Sequence, residues 1–367
     1  MTQDEYRNEM NDVIYLVSCA LNKEVPDAER IRGMDLPRVC KAASRHMLAA
    51  ACAMALESAG VKDKDFTQAK AKAIRKVALM DREAACLYRK LEEAGIWYMP
   101  LKGSVLKEDY PAYGMREMSD RDILFDASRA EDVKSIMEDM GFEPIRFGHG
   151  EHDTYQKKPV SNFEMHRELF NYHIRESRFA GNWYADVKAL LIPDEGCRFR
   201  FHFTREDFYV YMVAHEYKHF SERGTGLRSL ADTYVYLTRE NPDLSLVAAE
   251  TDRLGLSEYE AANRSLALHL FGGGELTDAD RSMLEYILFS GTYGTIRNVV
   301  RREGGTWGYI VSRLTLPRYL MLENYPILKK RPFLYPFVWV YRLVHGFFFK
   351  HKKFMFQLKS AFREKKE

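Results

Sequence analysis

The chain has 367 residues, 46% apolar and 13% aromatic, with a formal charge of +2 at pH 7. That is apolar material enough for a real core, which excludes global disorder, and length enough for two domains or for one domain with a helical extension. Five cysteines, Cys19, Cys40, Cys52, Cys86 and Cys197, are scattered and never in C-x-x-C spacing, which argues against a disulfide framework or a cysteine zinc site and for a reducing compartment.

The first residues, "MTQDEYRNEM", are polar and acidic and do not read as a secretory signal. Residues 1–95 then form a helical region. "DLPRVCKAASRHMLAAACAMALESAG" predicts one helix ended by Gly60, and "DFTQAKAKAIRKVALMDREAACLYRKLEEAG" another ended by Gly95.

Between 96 and 203 the texture changes. "IWYMPLKGS" and "MSDRDILF" predict strands, "RAEDVKSIMEDMGF" a helix stopped by Gly141, and "DTYQKK", "VSNFEMHREL" and "CRFRFHF" further strands. This is a compact unit of interleaved helices and strands. From Thr204 to 328 the chain is helical again, opening with Thr204 and Asp207 in capping-box-like spacing. The fold class is therefore α+β: a small mixed sheet with helices, flanked by N-terminal and C-terminal helical regions.

Residues 329–367 predict a basic, aromatic terminal helix, with eleven Lys or Arg against two Glu, so the remainder of the chain is net acidic. Two readings of this tail stand side by side: a helix packing its aromatics on the body, and a peripheral contact with a membrane surface. No stretch of 18 uninterrupted apolar residues occurs, since Pro336, Arg342 and His345 interrupt the nearest approach, and the expected location is cytoplasmic.

The chemistry concentrates in the middle unit. Gly103 and Ser104 close the first strand and open the next helix, a turn in which backbone N–H groups can approach phosphate oxygens. In "SDRDIL", Asp120 and Asp122 are two apart, so on a strand they share a face. Two carboxylates on one face repel unless a cation sits between them, and oxygen ligands suit Mg²⁺ or Mn²⁺. A third carboxylate, Glu164, lies in the apolar-flanked "NFEMH". Singly, a Gly-Ser turn is commonplace and D-x-D on an edge is more often a solvated pair. In that order the three motifs predict a two-metal nucleotidyl transfer site, in which Asp120 and Asp122 would bridge the ions and Glu164 would help to bind one and activate the attacking hydroxyl.

The segment resembles the DNA polymerase β-type nucleotidyltransferase superfamily, whose pattern h-G-[GS], D-h-[DE]-h, h-[DE]-h is met by "LKGS", "DRDI" and "FEM". Arg121 departs from it, standing where an apolar residue is usual; as the middle residue of D-x-D it is expected to face away from both aspartates. More closely the chain resembles the uncharacterised nucleotidyltransferase family, through Lys102 before the glycine, Tyr110 and Pro111, Arg116, and the carboxylate-x-His of Glu164 and His166. The likeness continues into a histidine helix and a glycine turn with His215, Lys218, His219, Gly224, Gly226, Leu227, Arg228, Leu230 and Asp232. It covers residues 95–240 well, while the first 90 residues match only in being helical. It implies a nucleotidyltransferase fold, a nucleoside triphosphate as donor and an unidentified acceptor.

Lys102 and Arg116 flank the phosphate turn and either neutralise a triphosphate or form a surface ion pair. His166 shares a strand face with Glu164 and is either beside metal or nucleotide, or a hydrogen-bonded core histidine. His215, His219, Arg228 and Asp232 form either a buried polar network between two helices or a wall of the cleft.

Three functions follow from this sequence. The first is a Mg²⁺- or Mn²⁺-dependent transferase moving a nucleoside monophosphate from an NTP to a hydroxyl of a small molecule, sugar or protein. The second is a catalytically silent nucleotide-binding or scaffold module, against which the intact aspartates argue. The third is a zinc hydrolase, because "HEYKH" at 215–219 matches the H-E-x-x-H pattern of zinc peptidases, with His215 and His219 on one helix face, Glu216 as base and Glu240 at the spacing of a third ligand. No sequence-specific nucleic acid is expected, since the acidic body offers no duplex-binding track.

Overall fold

The computed structural model of the chain describes residues 2–170, 186–222, 224–290 and 327–345, with isolated positions between 308 and 325. Helix α1 (Gln3–Asn22) starts on a capping box: Thr2 Oγ1 accepts from the Glu5 N–H, and the Glu5 carboxylate accepts from the Thr2 N–H. Its inward stripe is Tyr6, Met10, Val13, Leu16 and Val17, at helical spacing.

The single helix expected across 35–60 is two helices, α3 (Leu36–Arg45) and α4 (Ala49–Ser58), with a short α2 (Ala28–Arg32) before them. The break falls at His46, Met47 and Leu48, where Met47 adopts a left-handed φ of 55°. No Gly or Pro marks it. A buried imidazole causes it: His46 Nδ1 accepts the Leu227 N–H at 3.0 Å, so Nε2 carries the proton and donates to Tyr6 Oη at 2.9 Å. Tyr6 in turn donates to the Leu288 carbonyl at 3.1 Å. The alanines of α4 are buried, which lets α1 and α5 close on it.

Burial, with Arg45 adding repulsion, pushes His46 down to about 4 from its ordinary 6.5. Between those values the folded chain binds fewer protons than the unfolded one, so stability present above pH 6.5 is lost as the pH falls through 4. We expect the stability advantage of the wild type over His46→Gln to shrink by roughly 3 kcal/mol between pH 7 and pH 4. Urea unfolding at the two pH values reads this difference; parallel losses in both proteins would contradict it.

Helix α5 (Lys64–Ala94) runs about 46 Å. Asp63 caps its first turn and Gly95, at φ 64°, ends it, as the sequence predicts. Phe66 is buried in a core that α1, α3 and α4 share with Leu227, Leu230, Leu266, Phe271 and Ile287 from the later helices. Ala84, Leu87 and Leu91, further along the same helix, are buried against the sheet.

The sheet has the order β1-β2-β5-β4-β3, formed by β1 (Tyr98–Pro100), β2 (Arg121–Phe125), β3 (Glu143–Arg146), β4 (His152–Lys157) and β5 (Ser161–His166). Only the β2–β5 pair is parallel; the others are antiparallel. Strand β3 has no counterpart among the predicted elements; it is an exposed edge carrying Pro144.

The period of two sorts the residues onto two faces. Ile123, Phe125, Tyr155, Phe163 and Met165 pack on α5 and on α7 (Ala130–Asp139). Full burial of a side chain such as Phe163 stabilises by about 1.5–3 kcal/mol. Leu124 and Met99, on the opposite side, join a core with Phe208, Tyr211 and Met212 of α8 (Arg205–Glu222). Asp122, Glu164 and His166 alternate with the first set and so belong to this second face.

Helices α9 (Leu227–Glu240), α10 (Leu244–Leu254), α11 (Ser257–Gly272) and α12 (Asp278–Ser290) complete the described body. Thr204 caps α8 by accepting the Asp207 N–H at 3.0 Å. Residues 335–345 are helical, with Phe337, Val340, Tyr341 and Val344 exposed along one stripe. The rest of the expected terminal helix, 346–367, lies outside the described residues. Among the described residues no helix is long and apolar enough to cross a membrane.

Candidate active site

Register builds the centre of the site. The parallel β2–β5 pairing sets Asp122 beside Glu164 and Leu124 beside His166. Asp120 immediately precedes β2. Arg121, between the aspartates, turns to the other face and pairs with Asp81 of α5, as its place in the alternation predicts. The antiparallel β4–β5 pairing sets His152 opposite His166.

Asp122 is almost fully buried, yet doubly partnered: Lys102 Nζ lies 2.7 Å from Oδ1 and His166 Nε2 2.9 Å from the same oxygen. Burial alone would raise its pKa; Lys102 and His166 outweigh that and hold it well below the usual carboxylate range. The same pairing keeps Lys102 protonated although its burial opposes the charge. Glu164 has no such cation against it. Burial, then repulsion from Asp122 and Asp120, pushes it up to about 8. Asp120 is raised for the same reasons, burial first and Asp122 second. Three carboxylates thus share one patch, offset by Lys102 and, around Asp120, by Arg228 and Lys76.

The turn before this patch is strained. Lys102 has φ 48° and ψ −123°, a left-sided conformation that favours glycine. Gly103 follows because there is no room for a side chain: a Cβ there would collide with the Arg116 guanidinium. The helix that opens at Gly103, α6 (Gly103–Leu106), is only four residues long, and the Ser104 N–H is bonded to the Leu101 carbonyl at 3.0 Å. Ser104 does not line the cavity; its Oγ is buried without a hydrogen-bond partner.

These residues surround one cavity of about 640 Å³, a size typical of small-molecule and cofactor sites. Lys102, Gly103, Asp120, Asp122, Glu164 and His166 line its sheet side, and His215, His219, Arg228 and Asp232 line its helical side. Residues 32–272, more than half of the chain, match the model of a family described as uncharacterised nucleotidyltransferase.

The chain belongs to this family.

The match begins well upstream of residue 95 and so takes in much of the N-terminal helical region. No curated protein matches. A solved structure that is similar is an antigenic nucleotidyltransferase-like protein from Paracoccidioides brasiliensis, with 13% identity and a TM-score of 0.34, over 54% of this chain and 94% of that one.

In this nucleotidyltransferase-family chain Arg116 is not at the surface. Its Nε and Nη2 meet the two Asp232 oxygens at 2.7 and 2.8 Å, both side chains are about 6% exposed, and Tyr110 Oη adds a third bond to Asp232 at 2.6 Å. The guanidinium therefore joins the Lys102–Gly103 turn to α9 and backs Gly103. Arg228 donates to the Glu117 carbonyl at 3.1 Å and lies near enough to Asp120 to favour its charge.

The histidine helix divides its own motif. His215 and His219 face the cavity with their Nε2 atoms 3.3 Å apart. Burial, then the Lys102 charge, holds His215 neutral, well below its ordinary value. Glu216 accepts from Asn263 at 3.1 Å and from Thr233 at 3.4 Å, bonds that engage it with the neighbouring helices, and burial pushes its carboxyl far upward. Glu240 sits beside Asp109 at the end of α9. The match to the zinc-peptidase pattern is thus met by a helix whose glutamate is bonded to neighbouring helices.

Sequence reasoning missed two residues here. Glu151 accepts from Lys218, which the resemblance had already named, at 2.8 and 3.0 Å on the cavity wall, and His152 stands within 3.6 Å of Glu164. Among the described residues, the His, Cys, Asp and Glu group with donor atoms mutually within 4.8 Å is His152, Glu164 and His166. Only the hairpin register, which pairs 152 with 166 across the turn at 158–160, would have revealed it.

Proposed function

We propose that this chain is a divalent-cation-dependent nucleotidyltransferase that moves a nucleoside monophosphate from an NTP to a hydroxyl. The observation that carries the reading is the pairing of Asp122 with Glu164 across parallel strands, with Asp120 adjoining, on the wall of a cavity that Lys102 and Gly103 also line. The carboxylate oxygens of Asp120 and Asp122 fit a divalent cation, and such an ion would supply charge neutralisation at the triphosphate and acidify the attacking hydroxyl.

The chain's own residues do the rest. Asp120 and Asp122 hold the cations. Lys102 neutralises Asp122 before nucleotide enters and stands beside the phosphates after. The acceptor oxygen bonds to the α-phosphorus, pyrophosphate leaves, and Glu164, in its ionised form, takes the hydroxyl proton. Arg116 positions the Lys102–Gly103 turn from behind. His215, kept neutral, and Arg228 face the nucleotide or acceptor from the helical side.

One observation favours a second reading. The Lys102 ammonium already compensates Asp122, so a silent module could hold nucleotide without turnover.

The test is thermal unfolding with each of the four NTPs, with and without Mg²⁺ or Mn²⁺, on the wild type and on Asp120→Ala/Asp122→Ala. We expect a rise in Tm that needs both NTP and cation and disappears in the double variant. A cation-independent rise that survives in the variant would favour the silent module, and no rise with any NTP would remove both readings.

A further inference from the structure

We propose that His152, Glu164 and His166, completed by Asp122, form a mixed imidazole–carboxylate site selective for a first-row transition dication over Mg²⁺. This deepens the reading above and rests on it for Asp122 and Glu164; the two histidines are the new element.

Strand register delivers all four side chains to one place. His152 pairs with His166 across the β4–β5 hairpin, and Asp122 pairs with Glu164 across β2–β5, on the face that meets the cavity. His152 Nε2 lies 3.6 Å and His166 Nε2 3.9 Å from Glu164 Oε2, and His166 Nε2 lies 2.9 Å from Asp122 Oδ1. Donors bound to one ion at about 2.1 Å stand about 3.0–3.4 Å from one another. Those of His152, Glu164 and His166 lie mutually within 4.8 Å, so movements of about an ångström close that set, with Asp122 reached through its contact with His166. These are side-chain movements; the strands that fix the register need not shift.

The donors decide the ion. Mg²⁺ takes oxygen ligands and keeps its waters, whereas imidazole suits the later first-row metals, and Mn²⁺ accepts both donor types. Two imidazoles beside two carboxylates therefore disfavour Mg²⁺. The Nδ1 atoms of both rings are buried without a hydrogen-bond partner, so Nε2 is the engaged atom of each, and each Nε2 faces carboxylate oxygen. Behind His152, Glu151 Oε1 lies 3.9 Å from Nδ1, beyond hydrogen-bond distance but on the side where carboxylates orient metal-bound histidines, and Lys218 pairs with that carboxylate. Lys102 shares Asp122 Oδ1, so an entering ion replaces the ammonium as that oxygen's partner.

The experiment uses the full chain, freed of metal by chelation, and Co²⁺ as the probe, followed by its visible absorption and by titration calorimetry without nucleotide. We expect one Co²⁺ per chain with the band intensity and position of nitrogen ligation. A thousandfold excess of Mg²⁺ should not displace it, but Mn²⁺ should compete. His152→Ala and, as a milder variant, His152→Gln should weaken Co²⁺ by about 10–100-fold and shift the band, while melting as cooperatively as the wild type. Unchanged Co²⁺ affinity and spectrum in both His152 variants, or displacement by equimolar Mg²⁺, would overturn the proposal. An NTP response that needs Mg²⁺ in a protein lacking the Co²⁺ site would do so too, while leaving the transferase reading standing. Co²⁺ bound as described in a protein deaf to every NTP would uphold the cation site and overturn the transferase.

Discussion

Asp232→Ala is expected to lower unfolding stability by about 3–5 kcal/mol, the largest loss of any single polar substitution here. The side chain it removes accepts two bonds from Arg116 and one from Tyr110, with all three groups buried. Truncation leaves a guanidinium charge and a phenol hydroxyl buried beside the cavity without their acceptor. The pair itself contributes far less than its breakage costs, because forming it required both charges to leave water. Replacing both partners with apolar residues, as in Arg116→Met/Asp232→Leu, should therefore recover much of the loss. Urea unfolding of the single and double variants measures this non-additivity. A single-variant loss below 1 kcal/mol would show that water reaches Arg116 and that its burial is overstated.

The second large effect falls on binding. Gly103→Ala is expected to weaken NTP affinity by about 10–100-fold while the chain still folds. The added Cβ collides with the Arg116 guanidinium, which is held in a fork on Asp232 and so gives way less readily than the turn. Overpacking of this kind costs about 1–3 kcal/mol, and the turn that moves to relieve it bears Lys102, which is already at a left-handed φ. Calorimetric titration of the folded variant with NTP and divalent cation reads the change. Wild-type affinity in Gly103→Ala would mean that the turn does not touch the nucleotide.

Much of this site was legible in the sequence because its signals are local. D-x-D reads as one strand face from the period of two alone, and the same rule sent Arg121 to the opposite face. Gly95 and Gly141 announce helix ends by a conformation other residues resist. What stayed hidden depends on partners remote in the chain. The break at His46 comes from hydrogen bonds to Tyr6 and to the backbone of Leu227, which override a helical pattern with no breaker in it. Arg116 looks like a phosphate ligand beside a glycine until Asp232, 116 residues later, accepts its fork. His152 is an ordinary polar residue at the start of a strand until the hairpin register pairs it with His166. "HEYKH" misleads in the opposite way, since a short pattern fixes residue types but not which helix face each one serves.

Helix α5 has a mechanical consequence. It contains neither glycine nor proline, and it is anchored at Phe66 in the helical core and at Ala84, Leu87 and Leu91 beneath the sheet. A continuous helix does not hinge without such a residue. Arg121 rivets the aspartate-bearing strand to the same rod through Asp81. The carboxylate wall of the cavity is thus the fixed jaw of a vice, and any change in the cavity's width falls to the opposing jaw, the face of α8 that bears His215 and His219.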